Sequence, residues 1–157
     1  MAAESRHSVG DTRGPFSLPR TRQRDPMEFL ETDGAIWIGV SGRPLDNRPP
    51  ISWWCFPRTA RRGDLLIMYE RLIGIVRLES IESHPQMREL RCAQVGLLTS
   101  ETKFMCTLVR PITVRELKND KALRNLPAVR RNFQGTCFPV PGEYWPHLRE
   151  LIGKRLE

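Results

Sequence analysis

No stretch of the chain approaches the roughly 18 consecutive apolar residues that a membrane-spanning helix needs. The first residues lack the apolar h-region of a secretory signal, so none is expected. Histidine is scarce, with three in the chain, and the four cysteines (Cys55, Cys92, Cys106 and Cys137) are scattered without a CxxC pair. Neither residue type falls at ligand spacing, which argues against a zinc site or any other metal. Together these absences predict a cytoplasmic protein with reduced, mostly buried thiols. HExxH, a nucleophile elbow and paired carboxylates near a histidine are missing too, so no catalytic residue and no cofactor are expected. Lysine is also rare, at four of the 25 basic residues.

What is present is a basic, Trp-containing chain the size of one domain. Its 157 residues are enough for a self-sufficient core. A hydrophobic content of 39% with four Trp fits a globular protein. The net charge is +7 and the isoelectric point about 9.8. Five Arg against four acidic residues leave residues 1–30 at +1, so +6 belongs to the remainder. A basic folded surface favours polyanions, nucleic acid above all, although charge alone fits a solubility role equally. The excess is carried by Arg, whose planar fork suits phosphate and base contacts.

Residues 1–30 mix Ser, Arg, Gly and Pro without period and are expected to be a disordered tail. The domain spans 34–157. It opens with an apolar strand, Ala35 to Val40, followed by a loop of turn formers to Pro50. The stretch from Ile51 to Glu79 organises the rest. Trp53-Trp54 leads into a basic turn with Arg58, Arg61 and Arg62. Gly63-Asp64 then opens the apolar run Leu65 to Tyr69, which pairs with Ile73 to Leu78 as a hairpin. A further pair of strands is expected over Arg91 to Leu98 and Lys103 to Arg110, turning through Thr99-Ser100-Glu101-Thr102. Thr113 and Glu116 fit a capping box at a helix start, and Lys121 to Leu126 offers another turn of helix. The last helix starts near Gly142-Glu143 and carries one stripe, Tyr144, Trp145, Leu148, Leu151 and Ile152. The fold class is α+β, a small mixed β-barrel of about five strands with two or three short helices.

Four ordered pieces resemble the EVE domain of the PUA-like superfamily, which also holds the YTH and ASCH domains. They are Trp37-Ile-Gly-Val-Ser41-Gly-Arg-Pro44; the basic segment and Gly-Asp strand ending at Tyr69 with Ile73-Gly74-Ile75; Leu108 to Lys118; and Arg131-Asn-Phe-Gln-Gly-Thr136 with Pro139 and the helix around Trp145. The chain departs from the longer eukaryotic members in having Ile51-Ser52-Trp53-Trp54 where they carry Trp-Asp-Gly-Val-Arg-Asn. The resemblance implies a PUA-like barrel that holds one modified base of DNA or RNA, a modified cytosine or adenine, in an aromatic pocket. Stacking on an aromatic wall offsets the cost of taking a base from its stack, at about 1–3 kcal/mol per base.

On that reading Trp53 and Trp54 are the stacking candidates, with Tyr69 and Phe133 behind them and Ser41 and Gln134 at the base edge. Arg58, Arg61, Arg130 and Arg131 would hold flanking phosphates. Each has a plainer alternative. Neighbours on an extended segment point to opposite sides, so at most one Trp of the pair faces a pocket. Tyr69 and Phe133 fit the core, Ser41 a loop cap, Asp64 a turn, and the arginines a solvated face. Trp37 and Trp145 are assigned to the core. Two other functions compete with the reader: a protein-interaction module, and an ASCH-like nucleic-acid-directed hydrolase.

Overall fold

The apolar run from Leu65 ends where Gly74 is needed. The turn after β3 (Leu65–Glu70) passes through Leu72 at φ 68° and Gly74 at φ 136° before β4 (Gly74–Ile81) begins. A Cβ on Gly74 would lie 2.2 Å from the Ile112 carbonyl oxygen, so only glycine brings the two backbones this close. The hairpin is therefore formed as expected, antiparallel and at the centre of the sheet. The computed structural model describes residues 25–156. Six strands run in the order β2-β5-β4-β3-β1-β6 and curl into a half-barrel. β1 (Ile36–Ser41) is parallel to β3, and every other pairing is antiparallel. β2 (Ile51–Phe56) and the short β6 (Cys137–Pro139) are the two edges.

Alternation along the strands separates two cores. Ile36, Ile38 and Val40 of β1 and Leu65, Ile67 and Tyr69 of β3 face the helices. There they meet Leu117, Leu123, Leu126, Leu148 and Ile152, the last two from the expected stripe of α4 (Trp145–Gly153). Trp37, Leu66 and Met68 face the concave side with Phe56, Ala60 and Ile81. Each such fully buried side chain contributes on the order of 1.5–3 kcal/mol. The capping box of α2 (Val114–Asn119) is also present: the Thr113 hydroxyl accepts from Glu116 N, and the Glu116 carboxylate accepts from Thr113 N.

Four expectations are corrected. Arg91 to Leu98 is not a strand, because α1 (Leu90–Gln94) occupies it and Gly96, at φ 75°, turns the chain after it. Thr99 to Thr102 is not a turn but the start of β5 (Leu98–Ile112), 15 residues long. Its β-branched, buried Thr99 and Thr102 pair with Cys55 and Ser52 of β2, and Thr102 also pairs with Ile81 of β4. Lys121 to Leu126 is a run of turns, pinned where Asp120 Oδ1 accepts from Ala122 N and Leu123 N; the helix is α3 (Pro127–Arg130). Finally, Cys55 and Cys92 form a disulfide that ties α1 to β2, so these two thiols are not free. Cys106 and Cys137 are the free cysteines, and burial pushes their thiols up to about 11 and about 12.

Of the expected tail, residues 1–24 lie outside the described residues. Pro26–Leu30 forms a 3-10 turn capped by Asp25 Oδ1, and it seats Leu30, fully buried, beside Leu148 and Ile152. No helix among the described residues is long and apolar enough to cross a membrane.

Candidate nucleic-acid interface

β2 is an edge strand and carries the Trp pair. Trp54 turns toward the concave face, donating from its indole nitrogen to the Thr136 carbonyl at 3.2 Å. Thr136 immediately precedes β6, so this bond spans the gap between the two sheet edges. The ring fits there because residue 39 is glycine: a Cβ would lie 2.7 Å from the Trp54 nitrogen. Trp53 is covered by the Arg88 guanidinium, 3.7 Å from its ring centroid. Both Trp residues, with Cys55, Cys92, Thr99 and Thr136, line a cleft of about 150 Å³ along the edge. The disulfide forms part of its wall.

The other expected residues are divided by the fold. Tyr69 and Phe133 stack face to face, centroids 3.7 Å apart at 4°, in the helix-facing core. Burial raises the Tyr69 hydroxyl. They lie on the opposite side of the sheet from Trp54, so the four aromatics do not form one cage. Ser41 caps a turn, its hydroxyl donating to the Arg43 carbonyl at 2.8 Å. Gln134 is exposed, two residues before Thr136, and is not among the residues that line the cleft. Its loop is held by left-handed Asn132 (φ 51°) and Phe133 (φ 55°). These close α3 as Asn132 N donates to Val129 O and Phe133 N to Ala128 O.

Arg130 and Arg131 are exposed next to this loop, and Arg131 lies 5.4 Å from the Phe138 ring. Arg58 and Arg61 are exposed at the other end of β1. There Asp64, 5% exposed, accepts from Ala35 N, Trp37 Nε1 and Arg61 N. Val40 N, by contrast, donates to Thr136 O. Five residues of strand, roughly 16 Å, separate these two points on the backbone of β1.

A polar cluster on the concave side went unread in the sequence. Glu79, 1% exposed, accepts from Arg48 Nε at 2.8 Å and pairs with Arg77 Nη2 at 3.0 Å. Arg48 also donates to Thr102 Oγ1 and the Trp53 carbonyl, and its guanidinium lies 5.2 Å from the Trp54 ring centroid. Arg77 donates to the Leu45 carbonyl. Desolvation lowers its pKa foremost, opposed by Glu79 and reinforced by Arg48. The available signal was the pair Arg77-x-Glu79 within an apolar strand, which puts two opposite charges on one face of the sheet. Among the described residues, no group of three or more His, Cys, Asp or Glu is placed to hold a metal ion.

No protein-family model and no curated protein matches the chain. Solved structures do. A hypothetical protein from Leishmania major is similar over 80% of this chain and 98% of its own, with TM-score 0.66 and 14% identity. Human THYN1 protein, in complex with 5-methylcytosine-containing DNA, is similar over 76% of this chain and 98% of its own, with TM-score 0.59 and 14% identity. The DUF55 domain of human thymocyte nuclear protein 1 gives 74% and 98%, TM-score 0.57 and 14% identity. These likenesses show a shared fold, that of the DUF55 domain of human thymocyte nuclear protein 1 among them.

Proposed function

We propose that the protein is a non-catalytic nucleic-acid-binding module that takes one modified base, a modified cytosine or adenine of DNA or RNA, into the cleft along β2. The observation that supports this most is Trp54. It is fixed by the Thr136 carbonyl and by the missing side chain at Gly39, so an aromatic wall stands ready beside the cleft. A wall held in place before binding costs no ordering when the base arrives. Gln134 offers an amide two residues before Thr136, and Trp53 a second ring once Arg88 moves aside. Arg130 and Arg131 hold phosphates next to the cleft, and Arg58 and Arg61 those farther along the strand. Tyr69, Phe133 and Ser41 have structural roles and support the site from behind. The complex of THYN1 with 5-methylcytosine DNA favours modified cytosine as the first base to try.

The test is binding to matched single- and double-stranded DNA and RNA, each plain or bearing one modified cytosine or adenine. The expected result is preference for one modification, with Trp53→Ala or Trp54→Ala weakening it about 5- to 160-fold, the worth of one base stack. Folding of each variant is checked by circular dichroism. Binding that ignores the modification reduces the site to a basic surface. Absence of binding by a folded protein sinks the reading in favour of a protein partner.

A further inference from the structure

The cavity beside the Arg48–Glu79–Arg77 cluster shares no lining residue with the Trp cleft and is larger, about 360 Å³. That is within the range of sites that enclose small molecules. Its wall includes both arginine side chains, Phe104, Leu45, Thr107 and the acidic Asp46. Two cations share one carboxylate here. Glu79 is 1% exposed and Arg77 6% exposed, so the cluster carries a net positive charge largely removed from water. Burying an uncompensated charge is costly, and proteins neutralise or use it. The Arg77 Nε–H is buried and finds no acceptor among the described residues. Phe104 lies under the same guanidinium, 4.5 Å from its carbon to the ring centroid, and still exposes 37% of its surface. The cavity thus offers two guanidinium groups that share one carboxylate and, next to them, an aromatic ring that is still partly exposed.

We infer that this cavity is a second binding site, for a phosphate monoester carried on a flat ring, of which a nucleoside 5′-monophosphate is the simplest form. The phosphate pairs with the Arg48 and Arg77 guanidinium groups, and the ring packs against the exposed part of Phe104. Asp46 is exposed and forms no ion pair among the described residues, so it repels an entering anion and sets the affinity below its maximum. The same chemistry is present in a free mononucleotide and at the 5′-phosphorylated end of a strand. This site stands or falls independently of base reading at the Trp cleft.

The experiment is calorimetric titration of the full chain with inorganic phosphate, a nucleoside 5′-monophosphate and its parent nucleoside. The monophosphate is expected to bind saturably and more tightly than either fragment. Asp46→Asn should tighten it about three- to tenfold by removing one nearby like charge, an improvement that misfolding cannot produce. Phe104→Ser should bring its affinity down toward that of inorganic phosphate, and Trp53→Ala should leave it unchanged. Oligonucleotides with 5′-phosphate or 5′-hydroxyl ends then identify the source: preference for the phosphorylated end assigns a strand terminus, and equal binding of both ends assigns the free nucleotide. Absence of saturable binding by either phosphate compound overturns the site. So does binding indifferent to both Asp46→Asn and Phe104→Ser, or binding lost in Trp53→Ala.

Discussion

A single methyl group at residue 39 tests how the cleft is built. Gly39→Ala would place Cβ 2.7 Å from Trp54 Nε1 and 3.1 Å from both Leu66 Cδ1 and Met68 Sδ. The indole is rigid, so it has to leave its hydrogen bond to Thr136. Overpacking of this kind costs about 1–3 kcal/mol. The expected outcome is lower stability by that amount in urea denaturation, with a shift in Trp emission as the ring is displaced; unchanged emission would mean that Trp54 is not wedged against residue 39. Glu116 makes a second prediction. Its carboxyl is held below the usual value first by Thr113 N–H and then by Arg155, which is itself buried. A depressed carboxylate stabilises fully above its unfolded pKa, near 4.3, and loses that contribution as pH falls through its lower folded value. Glu116→Gln should therefore be less stable than wild type by about 0.5–1 kcal/mol near neutral pH, a cap-sized loss. The gap should close as the pH is taken below about 4.3. A gap that persists in acid would assign the loss to packing.

The strands show which kinds of residue announce an element and which conceal one. β3 and β4 were legible because the unbroken run Leu65 to Tyr69 is buried and Gly74 supplies the turn. α2 was legible because a capping box is local chemistry. β5 was not, since Thr99-Ser100-Glu101-Thr102 reads as turn composition, yet those polar side chains serve an interior strand paired on both sides. Its Thr99 and Ser100 hydroxyls are buried without partners, which no local pattern announces. The site divided in the same way. Trp53 and Trp54 could be found as an adjacent aromatic pair, whereas the exclusion of Tyr69 and Phe133 follows from strand parity and from packing of α3. The Cys55–Cys92 bridge joins residues 37 apart and depends on α1, which the sequence read as strand. A loop of that length gives a disulfide worth about 3–4 kcal/mol. Dithiothreitol should then lower the melting temperature by roughly 5–15 °C, and Cys92→Ser should behave as the reduced protein does. A melting temperature indifferent to reductant, with four titratable thiols in the untreated protein, would remove the bridge.

For the whole molecule, the question is whether net charge or the cleft governs binding. The tail contributes only +1 of the +7, and the arginines assigned to phosphates lie in two groups at opposite ends of β1. Charge alone predicts affinity that depends on salt and on nothing else, because each neutralised phosphate releases counterions whatever the base. Four phosphate contacts give a slope of log K against log salt of about −3 for a single strand and −3.6 for a duplex. Base capture adds a salt-independent increment on top, since stacking displaces no counterion. Two parallel lines are therefore expected when plain and modified oligonucleotides are titrated across salt, separated by the base term. Arg130→Gln with Arg131→Gln should flatten both lines by about 1.4–1.8 units while keeping their separation. Trp54→Ala should collapse the separation and keep the slope. Coincident lines in the wild-type protein would mean that the cleft reads no modification, and lines that converge at high salt would mean that the preference is itself electrostatic.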